Sequence, residues 1–142
     1  PAAGYAASTP KTDPPPRTGP SPEEIRSRAE SALRDAPNGM AAALRTRDAG
    51  AVGRLMADAQ GADQAADLLK NLKDFVSATA AVIRVGTAQV SERSATIDYL
   101  VDLKYKNQMG LERQRSLTMR AEAERSGDNW TIVRHRLLSG WR

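Results

Sequence analysis

Ala95–Lys106 reads ATIDYLVDLKYK, and its alternation decides the fold. The odd positions are Ala95, Ile97, Tyr99, Val101, Leu103 and Tyr105, while the even ones are mainly Thr96, Asp98, Asp102 and Lys104. Successive side chains of a β-strand point to opposite faces, so the spacing predicts a strand with one buried apolar face and one wet face. Its neighbours follow suit. Ala80–Val90 precedes it, and Arg113–Arg125 follows with Leu117, Met119, Ala121 and Ala123 set against Ser116, Thr118, Arg120, Glu122 and Glu124. A shorter strand, Trp130–Leu137, closes the series. Ser91–Ser94 and Ser126-Gly127-Asp128-Asn129 read as tight hairpin links, Asn107–Glu112 as a looser one. Strands this long, at about 3.3 Å per residue, outrun a small domain unless the sheet curves strongly.

Upstream the period changes. Ser21-Pro22-Glu23-Glu24 is a helix start: Ser21 caps, Pro22 suits the first turn, and Glu24 completes a capping box. Ile25, Ala29, Ala32, Leu33 and Ala36 then recur on one face, until Pro37-Asn38-Gly39 is expected to break the helix. Met40–Arg47 follows, with Met40 and Leu44 inward, and Asp48 is expected to cap a third helix striped by Val52, Leu55, Met56 and Ala59. After a link at Gln60-Gly61-Ala62-Asp63, a last helix is predicted over Gln64–Ser77, with Leu68, Leu69, Leu72, Phe75 and Val76 at helical spacing. Helices first and an antiparallel meander after make an α+β domain, the helices packed in the concavity of a strongly curved sheet.

Composition sets the limits. Leu, Ile, Val and Phe supply only 24 of 142 residues, so the core is thin and padded by alanine. None of the 24 lies before Ile25, whereas seven of the eight prolines lie at or before Pro22. Residues 1–20 are therefore expected to be a Pro/Ala-rich extended linker and residues 21–142 the folded domain. Pro14-Pro15-Pro16-Arg17 within the linker resembles a docking peptide, with a plain spacer the simpler reading. The opening on proline rather than methionine is expected of a piece of a longer protein. Sixteen arginines against five lysines suit a GC-rich bacterial source. No apolar run approaches the roughly 18 residues of a membrane span. With no cysteine and one histidine, neither a disulfide frame nor a thiolate metal site can form, and no metal or cofactor is expected.

Three pieces of this pattern resemble the nuclear transport factor 2-like superfamily, the cone fold that includes ketosteroid isomerase, scytalone dehydratase and polyketide-cyclase-like proteins. The first is the capped helix running to Arg45-Thr46-Arg47-Asp48-Ala49, similar to that family's arginine/asparagine–x–x–Asp link between helices; the second is the meander itself. The third is Gly127-Asp128-Asn129-Trp130-Thr131-Ile132-Val133-Arg134-His135, which resembles the last strand with its Trp-x-Ile-x-x-His. The likeness spans Pro22–Trp141 and implies a homodimer through sheet faces. It departs at Pro37-Asn38-Gly39, and again at Asp58–Asp67, where the family carries an acidic, aromatic-rich hairpin and this chain has Ala, Gln and Gly. A shortened rim argues against enclosed catalysis.

Few residues carry candidate chemistry. His135 is the lone general acid or base available near neutral pH, with no partner placed by spacing. Tyr99 and Tyr105 face the expected concavity, where a phenol can donate to a carbonyl or enolate, so an enzyme built here would use Tyr99, Tyr105 and His135. A ligand pocket would be lined by Tyr99, Val101, Leu103, Tyr105, Leu117 and Met119. Asp98 and Asp102 share the wet face, where a ladder with Lys104, Lys106, Arg113 or Arg115 is expected. Arg113, Arg115, Arg134 and Arg136 form a candidate basic surface. The leading reading is a non-catalytic interaction or ligand-sensing domain, tethered by its linker to a larger bacterial protein. It would pair with itself or with a partner protein through the curved sheet, or hold a small apolar ligand. The alternatives are an isomerase, dehydratase or cyclase-type enzyme, and weak binding of nucleic acid or an anionic surface by the Arg-rich strands, nucleic acid being the less favoured. The parent chain would be extracytoplasmic if membrane-anchored and cytoplasmic otherwise.

Overall fold

The computed structural model describes residues 21–56 and 64–141; the expected linker at 1–20, most of the expected rim at Asp58–Asp67, and Arg142 lie outside the described residues. Four helices lead: α1 (Pro22–Arg34), α2 (Ala36–Thr46), α3 (Ala49–Leu55) and α4 (Gln64–Leu72). Five strands follow: β1 (Ser77–Val85), β2 (Gln89–Val90), β3 (Ser94–Lys106), β4 (Glu112–Ser126) and β5 (Asn129–Ser139). All pairings are antiparallel in the order β1-β3-β4-β5, with β2 also pairing with β3. The architecture is the expected α+β one, helices covering the concave face of a curved sheet.

The caps form as the sequence dictates. Ser21 Oγ accepts from Glu24 N at 3.2 Å, and Asp48 Oδ1 accepts from Ala51 N at 3.1 Å. Pro37-Asn38-Gly39 does not break a helix. The break falls at Asp35, and Pro37 sits in the first turn of α2, where its missing N–H costs nothing. The last helix is shorter than predicted, ending at Leu72 rather than Ser77. Asp74 N and Phe75 N still donate to the carbonyls of Asn71 and Leu72, but Val76 N has turned to Lys106 O at 2.8 Å. Sheet pairing thus takes the residues that helical periodicity assigned to α4. The predicted strand Ala80–Val90 is correspondingly two strands, its pairing with β3 shifted between Val82 and Arg84. Further register shifts at Thr118/Met119 and Glu122/Ala123 bend β4 against β5, the usual effect of an extra residue on one strand.

Register on the central pair is as the alternation requires. Ile97, Tyr99, Val101 and Leu103 are buried opposite Ala121, Met119, Leu117 and Arg115, while Asp98 and Asp102 stay on the other face. Behind them Leu33, Met40, Leu44, Val52, Leu68 and Leu72 have no exposed surface. The link Arg45–Asp48 also closes the edge of the sheet. Arg45 donates to Ala80 O at 2.8 Å, and Arg47 donates to Phe75 O at 3.0 Å and to Val76 O.

The C-terminal turn is the tightest point. Gly140 has φ +109°, and a Cβ there would lie 2.0 Å from Ser116 O, so backbone packs directly on backbone. Gly140→Ala is expected to cost at least about 2 kcal/mol in urea unfolding. Gly39→Ala, inside α2 with nothing within 4 Å of the new methyl, is expected to gain about 0.5–1 kcal/mol in the same assay.

Candidate functional site

The concave face of the sheet is where a cone of this shape would hold a small molecule, and here it is packed. Val101, Leu103, Leu117 and Met119 have no exposed surface and Tyr99 has 2%. The six residues expected to line a pocket are therefore core, apart from Tyr105, which is half-buried and stacks on Phe75 with ring centroids 4.1 Å apart. The reason is in the facing helices. Ala29, Ala36 and Ala41 are buried there and Ala95, Ala121 and Ala123 on the sheet, so the layers approach closely.

One polar contact lies inside. Tyr99 Oη is 2.6 Å from His135 Nδ1, the two rings meeting edge to face at 5.9 Å and 85°. Tyr99 stands opposite Met119 and His135 opposite Ala121, so the pair meets diagonally across β4, over an alanine that leaves it room. Burial alone pushes the His135 pKa down to about 4 and the Tyr99 phenol well above its ordinary value. Both groups are neutral at pH 7. With the phenol donating, the ring is the Nε2–H tautomer and its Nδ1 lone pair is occupied. Such an imidazole is a weak base and such a phenol a weak acid. The inward positions of β3, β4 and β5 hold no Asp or Glu, and among the described residues no carboxylate hydrogen-bonds the imidazole. Tyr105, the other expected phenol, belongs to a different cluster and does not join them.

That cluster gathers residues that no local spacing links. Trp141 stacks at a tilt on Tyr105 and Phe75, its Nε1 donates to Asp67 Oδ2 at 2.7 Å, and its backbone N donates to Gln64 Oε1 at 3.2 Å. The C-terminal strand is thereby clasped to α4. Arg115 lies over the Trp141 ring, its CZ 5.7 Å from the centroid, and its Nε is buried without a hydrogen-bond partner. The signal was available in the late Gly-Trp, since a glycine permits the turn that sends an aromatic back over the core.

On the outer face the expected ladder exists with different partners. Asp98 takes a two-pronged pair from Arg120, at 2.7 and 3.1 Å, and that hydrogen bonding holds its carboxyl below the ordinary range. Asp102 accepts from Gln114 at 2.8 Å. Neither pairs with Lys104, Lys106, Arg113 or Arg115. Glu122 sits between Arg134 and Arg136, with Arg136 Nε at 2.8 Å from its other oxygen. Strand alternation splits the four-arginine surface. Arg113 and Arg115 occupy positions in register with the inward side of β3, whereas Arg134 and Arg136 flank Glu122 on the outer side. Four cavities lined by described residues open on the surface, and neither Tyr99 nor His135 lines any of those four. Among the described residues no three His, Asp or Glu gather into a metal-binding group, and no helix is long and apolar enough to cross a membrane.

No family model matches the chain, and no curated protein does. Solved structures match in number, 65 chains in all. A nuclear transport factor 2-like superfamily protein from Salmonella enterica superposes with a TM-score of 0.58 at 11% identity, covering 80% of this chain and 92% of that one. A hexachlorocyclohexane dehydrochlorinase, LinA-type3 from Novosphingobium barchaimii, gives 0.58 at 14% identity, with 83% and 92% covered. A structure of LinA gives 0.58 at 17%, with 81% and 88% covered. The chain has the nuclear transport factor 2-like fold. Identities this low carry the fold and no activity.

The buried imidazole makes stability depend on pH. Unfolded, His135 takes up a proton near pH 6.5; folded, only near pH 4, so the unfolded state binds more protons in between. The stability it sustains is whole above about pH 6.5 and falls by roughly 3 kcal/mol as pH drops to about 4. His135→Gln should flatten this slope in urea unfolding. Because His135 is the single histidine, its ring proton is resolved in an NMR titration. A midpoint near 6.5 in the folded protein would contradict the buried pair.

Proposed function

We propose that this nuclear transport factor 2-like domain is a non-catalytic interaction module, with the Pro-rich segment upstream as its spacer. One observation carries the reading: among the described residues the concave face is filled, with Val101, Leu103, Leu117 and Met119 fully buried around the Tyr99–His135 hydrogen bond. Catalysis needs a polar group facing a space for substrate, and neither Tyr99 nor His135 lines any of the four surface cavities described above. Binding then falls to the surface. The outer face of β3, β4 and β5 carries Asp98 paired with Arg120, and Glu122 shared between Arg134 and Arg136. A second copy lying against such a face would meet charges that are largely paired within the chain. Light scattering at micromolar concentration should show a dimer, and one that persists in high salt; a monodisperse monomer removes this interface.

A second reading is an isomerase, dehydratase or cyclase-type enzyme using Tyr99 and His135. The 2.6 Å contact between a phenol and the lone imidazole supports it, and so do the enzymes among the solved structures, which weigh for this reading over the first. The readings part on a double-mutant cycle. If the pair is structural, Tyr99→Phe and His135→Leu should each cost about 1–3 kcal/mol in thermal unfolding by leaving a buried partner unsatisfied. The double variant should then cost less than their sum, by about 1 kcal/mol or more. Little loss in either single variant, together with a His135 ring signal that moves when a small ketone such as cyclohexanone is added, would support the enzyme.

A further inference from the structure

The hairpin joining β3 and β4 presents apolar side chains to water by construction. Met109 is 84% exposed, Leu111 48%, and Val76, whose backbone N bonds Lys106 O at the same end of the sheet, 52%. The loop is not frayed. Asn107 Oδ1 accepts from Met109 N at 2.9 Å and from Leu111 N at 3.1 Å, while Gly110 N donates to Asn107 O and Asn107 N to Leu111 O, both at 3.0 Å. The loop's backbone groups are turned inward and its apolar side chains outward, at a cost in solvation that packing alone does not require.

Cations surround this tip. A groove of about 480 Å³ beside it is lined by Lys104, Lys106 and Arg113, with Ser77, Thr79 and Gln114 as further polar groups and Glu112 as its one carboxylate. Among the described residues, none of Lys104, Lys106 and Arg113 enters an ion pair. Elsewhere on the sheet Arg120, Arg134 and Arg136 pair with carboxylates, whereas Arg84, Arg115 and Arg125 enter no ion pair among the described residues. Unmatched positive charge and exposed apolar surface therefore coincide at one end of the domain.

The geometry points to this end as a contact site for an anionic lipid bilayer, the Met109, Leu111 and Val76 side chains entering the interface while Lys104, Lys106 and Arg113 meet lipid phosphates. A projecting tip of three apolar residues ringed by cations suits the boundary between acyl chains and headgroups, where both terms add. A protein partner of ordinary interface size would need about 800 Å² from each side, with charge kept from its centre. Nucleic acid is less suited: Tyr105, the aromatic residue nearest the cations, is stacked on Phe75, and exposed methionine offers nothing to a phosphate backbone. The site is remote from Tyr99 and His135, so it holds whichever way the cone is used.

Vesicle co-sedimentation tests it, using the full chain with phosphatidylcholine vesicles and with vesicles containing about a third phosphatidylglycerol. Binding is expected to the anionic vesicles alone and to weaken with salt. Lys104→Gln and Lys106→Gln should each lower it roughly fivefold. Met109→Ser combined with Leu111→Ser should lower it about tenfold while leaving the thermal midpoint unchanged, since both side chains are exposed. No binding to anionic vesicles overturns the inference, as does binding indifferent to the Met109/Leu111 substitutions. Displacement by duplex DNA, equal for the wild-type chain and the Met109/Leu111 variant, would identify a nucleic-acid surface instead and likewise overturn it.

Discussion

Everything in this domain follows from β3 having to keep one side dry. Its thirteen residues pair with β4 along their whole length, and each alternate side chain goes inward. A shift of one residue would bury Asp98 and Asp102 and expose Tyr99, Val101 and Leu103, which no gain elsewhere in so lean a core would offset. The register is therefore pinned on both faces. Inward it is held by apolar burial, outward by Asp98 with Arg120 and by Asp102 with Gln114. The bulges of β1 and β5 then bend the flanking strands so that short helices can cover what β3 and β4 leave open.

The edges obey a different constraint, the satisfaction of backbone groups. β1 lies at the end of the sheet order, where unpaired carbonyls face away from β3. Arg45 and Arg47, at the end of α2, supply guanidinium donors to Ala80, Phe75 and Val76. The left-handed conformation of Arg47, φ +58°, ends the helix there and lets the next residue, Asp48, cap α3. One short link thus terminates a helix, starts the next and seals a sheet edge. That explains why a resemblance carried by Arg45–Ala49 is informative about fold and silent about chemistry.

What was legible in the sequence was local and periodic. Caps at Ser21 and Asp48, the alternation of β3 and β4 and the tight links could all be read because each depends on residues a few positions apart. What escaped depends on long-range pairing. Phe75 and Val76 continued the helical stripe of Leu68 and Leu72, and nothing local says that Lys106 will capture Val76 N instead. The partner of His135 lies 36 residues away and is fixed by the combined registers of three strands, one of them bulged twice. Parity puts Asp98 on the outer ladder, but its partner Arg120 can be named only once β3 and β4 are aligned. The basic surface failed for a related reason: strand parity separates Arg115 from Arg134, and sequence proximity had hidden that.

The close packing of the described helices on the sheet has its own physical cause. Enclosing a small molecule requires helices held away from the sheet by large side chains at the rim, with the floor left open. Here the inward floor near the β4–β5 end is Ala95, Ala121 and Ala123, and the helices bring Ala29 and Ala41 toward the core. Small residues on both layers permit close approach, and close approach gains dispersion contacts that a lean core needs. The same alanine at 121 that draws the layers together also makes room for Tyr99 and His135 to meet. Widening the floor for a ligand would separate that pair and leave two buried polar groups unsatisfied. The outer sheet face and the β3–β4 end are under no such constraint, since side chains there can change without opening the core.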